Sequence, residues 1–143
     1  MNTVIRTNML QDKKSLLSTL WIFLAANYIY CDHLSLLEPG AVNGLMAGQI
    51  GSIQITQGFL LSAALIIEIP ILMIVLARVL KYRVNRWVNI IAGVLLVLIQ
   101  VGSMGFGTPP TLVYLSYSAL EVVVNLLIVW LAWKWRNPDS QPE

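Results

Sequence analysis

One cysteine and one histidine are all that the 143 residues offer of each type. The single thiol, Cys31, excludes an internal disulfide, and the lone His33 excludes the multi-histidine sets that commonly hold metals and haem. No metal and no cofactor is expected. The chain also lacks G-x-S-x-G, H-E-x-x-H, a phosphate-binding glycine loop and any Cys-His pairing, so the better-known nucleophilic, zinc and nucleotide chemistries have no residues to work with. Charge is scarce as well. Only 11% of residues are Asp, Glu, Lys or Arg, against 57% hydrophobic, and the mean hydropathy is +0.74. A soluble core of this size cannot absorb so much apolar surface, so the chain needs lipid as its solvent. A net charge of +2 is too small and too unevenly placed to mark a nucleic-acid partner.

The charge that is present is sorted along the chain. All nine Lys and Arg residues fall into three short stretches: Arg6, Lys13 and Lys14; Arg78, Lys81, Arg83 and Arg86; Lys134 and Arg136. Two apolar crossings between successive clusters return the chain to the same side each time. The positive-inside bias makes that side the cytoplasm, with both termini and the middle loop inside. The expected architecture is all-α: a four-helix transmembrane bundle with a short outer interfacial helix, in one domain over 15–136. Residues 1–14 form a cytoplasmic N-terminal segment, and spans lie at about 15–33, 56–78, 87–104 and 111–134. Residues 137–143 are a disordered cytoplasmic tail.

Local features refine this layout. The uncharged run Ser15 to Cys31 covers roughly 26 Å as a helix, just enough to cross, and it has no small-x-small site for signal-peptide cleavage. Between Leu34 and Thr56, Pro39 followed by Ala41, Val42, Leu45, Met46 and Ile50 predicts a short surface helix. Arg78 to Arg86 reads as a tight basic hairpin. Trp21, Trp87, Trp130, Trp133 and Trp135 gather towards the cytoplasmic side, where interfacial anchoring is the simplest role.

Two carboxylates lie deep in the apolar frame. Glu68 stands ten residues from Arg78, about 15 Å, and Glu121 thirteen from Lys134, about 20 Å, so both fall near the middle of a core about 30 Å thick. An ionised carboxylate there costs about 2.5 to 3.5 kcal/mol on insertion scales, whereas a polar contact between membrane helices returns about 0.6 kcal/mol on average. Helix packing alone is a weak reason to keep two of them. A neutral carboxylic acid can donate a hydrogen bond, which makes each a candidate proton carrier or ligand contact.

Polar neighbours recur at helical spacing around these acids. Tyr114, Ser118, Glu121 and Asn125 follow steps of four, three and four, which puts them on one stripe of the last helix. Gln57 and Glu68, eleven residues apart, share a face of the second span. Pro70 cannot bond the carbonyl of Ile66, which frees that oxygen and predicts a local kink. Asn27 and Gln100 lie at compatible depth in the outer half. Together these eight polar residues outline an intramembrane pocket for a ligand.

Each residue also has a plainer reading. Asn27, Gln57, Gln100 and Asn125 are the kind of amides that join membrane helices. The interfacial pair Asp32 and His33 could take a metal or sense pH, but exposed pairs of this kind are ordinarily solvated. Cys31 reads as a small packing residue. Arg78, Lys81, Arg83 and Arg86 can attract anionic lipid head groups, although orientation alone accounts for them. Gly44 and Gly48 make a small-x3-small pair outside any clear span.

Several stretches carry a resemblance: Leu17-Ser18-Thr19-Leu20-Trp21-Ile22-Phe23, Asn27-Tyr28-Ile29-Tyr30 with Asp32, Thr56-Gln57-Gly58-Phe59-Leu60, Glu68-Ile69-Pro70, and Arg78-Val79-Leu80-Lys81-Tyr82-Arg83 through Asn85-Arg86-Trp87. In these the chain resembles a family of small bacterial four-helix membrane proteins classed as a domain of unknown function. The resemblance covers nearly the whole chain. It implies a bacterial inner-membrane protein and carries over no catalytic or binding residue. More distantly the layout is similar to DoxX-like four-helix proteins, which concerns fold and not function.

Three functions from different classes fit these residues. The first is binding or transport of a small apolar or weakly acidic molecule, such as a quinone or lipid, with Glu68 and Glu121 as contacts; transport through so small a bundle would need a homo-oligomer. The second is a structural or accessory membrane subunit whose polar stripe packs against a partner helix. The third is an intramembrane acid-base enzyme, for example an isomerase, with its substrate between the two carboxyl groups. The balance leans away from an enzyme.

Overall fold

Long apolar runs bounded by caps and turn residues dictate the elements. The structure, a computed structural model, describes residues 2–105 and 109–135. Helix α1 spans Asn2–Ser35, and a short helix α2 spans Ala41–Met46. Two-residue strands β1 (Gln49–Ile50) and β2 (Ile53–Gln54) then pair antiparallel, Gln49 opposite Gln54 and Ile50 opposite Ile53. Helices α3 (Gln57–Val79), α4 (Tyr82–Ser103) and α5 (Leu112–Trp133) complete the chain. Thr56 starts α3 by accepting from Phe59 N at 3.1 Å, and Thr111 starts α5 by accepting from Tyr114 N at 3.2 Å, both N-caps that satisfy a free first-turn donor.

The described residues are all-α apart from the small hairpin. Helices α3, α4 and α5 are each long and apolar enough to cross a membrane, which marks a membrane protein. Helix α1 has the length but not the apolarity, because Ser15, Ser18, Thr19 and Asn27 interrupt its middle. It packs against α3 and α5; α4 packs against α5 and more lightly against α3. Lys14 reaches the last turn of α3, so the helical residues before it run past that end by about 18 Å.

Several boundaries differ from the sequence-based expectation. The N-terminal segment is helical from Asn2, continuous with the first apolar run. The basic hairpin shrinks to Leu80 and Lys81, both in extended backbone, because helix α4 begins at Tyr82 instead of Trp87 and carries Arg83 and Arg86 in its first turns. The surface helix forms but is only six residues long with no buried side chain, and the hairpin follows it. Gly48 sits at φ 73, a left-handed position that closes α2 and does not serve helix-helix contact. Pro70 lies inside a continuous α3 and is buried. The expected disordered tail at 137–143 and Arg136 lie outside the described residues, as do 106–108 of the turn before α5.

Burial is inverted relative to a soluble protein. Leu61, Leu65, Leu98 and Val123 are more than 60% exposed, while Ser18, Asn27, Asn85, Asn89, Gln100, Ser118, Glu121 and Asn125 are buried. Apolar side chains face out and amides face in, the distribution that lipid as solvent favours. A thin apolar core still runs through the interior: Leu17, Trp21, Leu24, Met73, Ala77, Leu96, Ile128 and Trp135. Trp21 and Trp135 are therefore core residues at 0% and 2% exposure, not interfacial anchors; only Trp87, Trp130 and Trp133 lie at the surface.

Candidate functional site

The stripe on α5 faces inward: Ser118, Glu121 and Asn125 are buried and Tyr114 is half-buried. Because α1 runs antiparallel beside it, Asn27 comes level with Glu121 and donates to its Oε1 at 3.0 Å. No other side chain among the described residues donates to this carboxyl group, although Glu121 is only 1% exposed. One turn on, Asn125 Nδ2 donates to the Glu121 carbonyl at 3.0 Å and lies 3.4 Å from the Tyr28 hydroxyl oxygen. Its Oδ1 is buried and has no hydrogen-bond partner among the described residues. A buried amide oxygen left unpaired costs about 1 to 3 kcal/mol, so this one marks a place where a donor is missing.

A second set continues the stripe towards the start of α5. Gln100 of α4 donates to Ser118 Oγ at 2.6 Å and to the Tyr114 hydroxyl at 3.3 Å; Ser103 and Tyr114 share a hydroxyl contact of 2.7 Å. Close approach of α4 and α5 at this depth depends on Gly93. A Cβ there would stand 2.7 Å from Val129 Cγ2 and 3.3 Å from the Asn125 carbonyl. A side chain at 93 would press first on the Val129 side chain and then on the backbone at Asn125, so the glycine allows the close approach that positions Asn125.

Of the eight pocket residues expected from sequence, six gather along α5: Asn27, Gln100, Tyr114, Ser118, Glu121 and Asn125. Gln57 and Glu68 do not join them. Both are exposed, and among the described residues neither side chain makes a hydrogen bond. They do share a face of α3, but that face points outward; the inward one carries Pro70, Met73 and Ala77, whose steps of three and four match a helical contact ridge. Asp32 and His33 are exposed in the last turn of α1. Among the described residues no three of His, Cys, Asp and Glu come together as a metal set.

A further polar cluster at the basic end had escaped the sequence reading. Asn85 donates to the Ala77 carbonyl at 2.6 Å, Asn89 donates to Asn85 Oδ1 at 2.6 Å, and Trp21 Nε1 donates to Asn89 Oδ1 at 2.7 Å. Its clue is the spacing of four between Asn85 and Asn89, which the hairpin expected over Arg78 to Arg86 divides by placing Asn85 outside the helix. Tyr28 and Ser103 were missed too, though each lies within three residues of a chosen amide.

The four cations proposed for lipid head groups divide in two. Arg78 donates to Ser18 Oγ at 2.9 Å, and Arg86 donates to the Trp133 carbonyl at 3.1 Å while stacking 5.8 Å from that ring. Lys14 likewise donates to the Arg78 carbonyl at 3.3 Å. Arg86 and Lys14 thus cap the C-termini of α5 and α3, where unpaired carbonyls favour cations. Lys81 and Arg83 are exposed.

In comparison with known proteins, the model of the family of unknown function DUF6326 aligns with residues 7–141. The chain belongs to that family. No curated protein and no solved structure matches it. The match takes in α1 from residue 7 onward, every later helix and both polar clusters, so membership covers the candidate site without assigning it a role.

Proposed function

We propose that this DUF6326 member is a bacterial inner-membrane protein with four crossings and both termini in the cytoplasm, binding a small, mostly apolar, weakly acidic molecule between α1 and α5. The layout would then be similar to DoxX-like proteins. Support for α1 as the fourth crossing comes from its packing beside α3 and α5 and from the apolar residues it exposes, including Ile22, Phe23 and Ile29. The basic clusters set the orientation.

The observation that carries the ligand reading is the unpartnered Asn125 Oδ1 beside a buried carboxyl group with a single donor. Both groups accept hydrogen bonds, so the complementary ligand brings a hydroxyl donor on an apolar body, as a quinol does. Tyr28, half-buried at the edge of this set, marks the side from which a lipid-dissolved molecule would enter. Acid-base catalysis between two carboxyl groups has less support, since Glu68 is exposed on another helix.

The accessory-subunit reading also has an observation in its favour. Asn27 to Glu121 ties α1 to α5, and Gln100 to Ser118 ties α4 to α5, which is what packing alone would require. Binding of a short-chain benzoquinol to the protein in lipid nanodiscs separates the two. Saturable binding that weakens at least tenfold in both Glu121→Gln and Asn125→Leu supports the ligand site. Absence of binding to the parent protein favours the subunit.

A further inference from the structure

At the basic end, residues of α1 and of the end of α5 line a pocket of about 240 Å³. Leu16, Leu17, Trp130 and Trp135 give it apolar walls, and Lys13 and Lys134 stand at its edge. The same antiparallel register that pairs Asn27 with Glu121 brings these two lysines level with each other. Lys13 and Leu17 are four apart on α1, and Trp130 and Lys134 are four apart along α5, so each helix presents a cation directly beyond an apolar wall residue. Both lysines are exposed, and the Lys134 ammonium lies 4.5 Å from the centre of the Trp130 ring.

From this geometry we infer that the groove between α1 and α5 is a binding site for one anionic phospholipid, its phosphate held between Lys13 and Lys134 and an acyl chain lying along Leu16 and Leu17. Charge complementarity selects this occupant. An apolar helix of a second copy would fill the walls and leave the two ammonium groups without a counter-charge, whereas a lipid with a negative head group places charge and tail at the matching depths. Two carbonyls at the end of α5 and just beyond it, those of Trp133 and Trp135, already accept from Arg86 and Tyr82, which lessens their opposition to a phosphate. The site differs from the Arg78, Lys81, Arg83 and Arg86 set, two members of which are occupied by the protein itself. It relies on the membrane reading but not on any ligand at Glu121.

The test uses tryptophan quenching in vesicles, comparing brominated phosphatidylglycerol with brominated phosphatidylcholine, because two groove walls are tryptophans. About five-fold preference per lysine, roughly thirty-fold for both, is expected for the anionic lipid. The double variant Lys13→Gln, Lys134→Gln should lose that preference, while Lys81→Gln, Arg83→Gln, which removes equal charge from the same membrane face, should keep it. Equal losses in the two double variants would mean general attraction to the surface and overturn the site. So would an absence of preference in the parent.

Discussion

Asn27 and Glu121, ninety-four positions apart in the chain, meet at 3.0 Å across the contact of α1 with α5. This hydrogen bond fixes the register of the two helices and sets one carboxyl group into a site of amides and hydroxyls. A double-mutant cycle of Asn27→Leu and Glu121→Leu, followed by unfolding in bicelles, should give a coupling of about 0.6 to 1.7 kcal/mol. A coupling indistinguishable from zero would remove the pair from the account.

The two membrane carboxylates should behave oppositely. Glu121→Leu strands the Asn27 amide and destabilises the fold. Glu68→Leu removes an exposed carboxyl group that makes no hydrogen bond among the described residues, and it should be neutral or stabilising, by up to about 2.5 to 3.5 kcal/mol if the group is ionised in lipid. Should Glu68→Leu instead disrupt a stable oligomer, that face of α3 has a partner chain.

Gly93→Ala should destabilise by about 1 to 3 kcal/mol, because its new methyl group meets Val129 Cγ2 at 2.7 Å. Adding Val129→Ala should recover part of the loss. Failure of that rescue would mean that the Asn125 carbonyl, 3.3 Å away, is the harder obstacle.

Trp21→Phe keeps most of a buried ring but leaves Asn89 Oδ1 without its 2.7 Å donor. The expected cost is about 0.6 to 1.7 kcal/mol for the hydrogen bond. Trp87→Phe, at an exposed position, should cost less in the same assay. Equal costs would return Trp21 to the role of an interfacial anchor.

These contrasts show how much was legible beforehand. Apolar runs between basic clusters were enough to locate α3, α4 and α5, since hydropathy and length are properties of a single segment. The stripe from Tyr114 to Asn125 was legible for the same reason: spacing along one helix puts residues on one face. Spacing does not say which way a face turns. Gln57 and Glu68 share a face as their separation requires, yet Met73, Ala77 and Pro70 occupy the contact with neighbours and turn that face out. Trp21 and Trp135 misled because tryptophan suits both a membrane interface and a core with a hydrogen-bond partner at hand. The helical start of α4 was obscured by its charges, although Asn85 and Asn89 already carried the four-residue step.

The most direct measurement is infrared difference spectroscopy of the protein in nanodiscs on adding a short-chain benzoquinol, with Glu121→Gln to assign the carboxyl bands. The account predicts a ligand-induced shift in a carboxyl band that is absent from Glu121→Gln and retained in Glu68→Gln. A spectrum in which no Glu121 band responds, with Glu121→Gln folding and assembling like the parent, would contradict the ligand site and leave Glu121 as a bond between two helices.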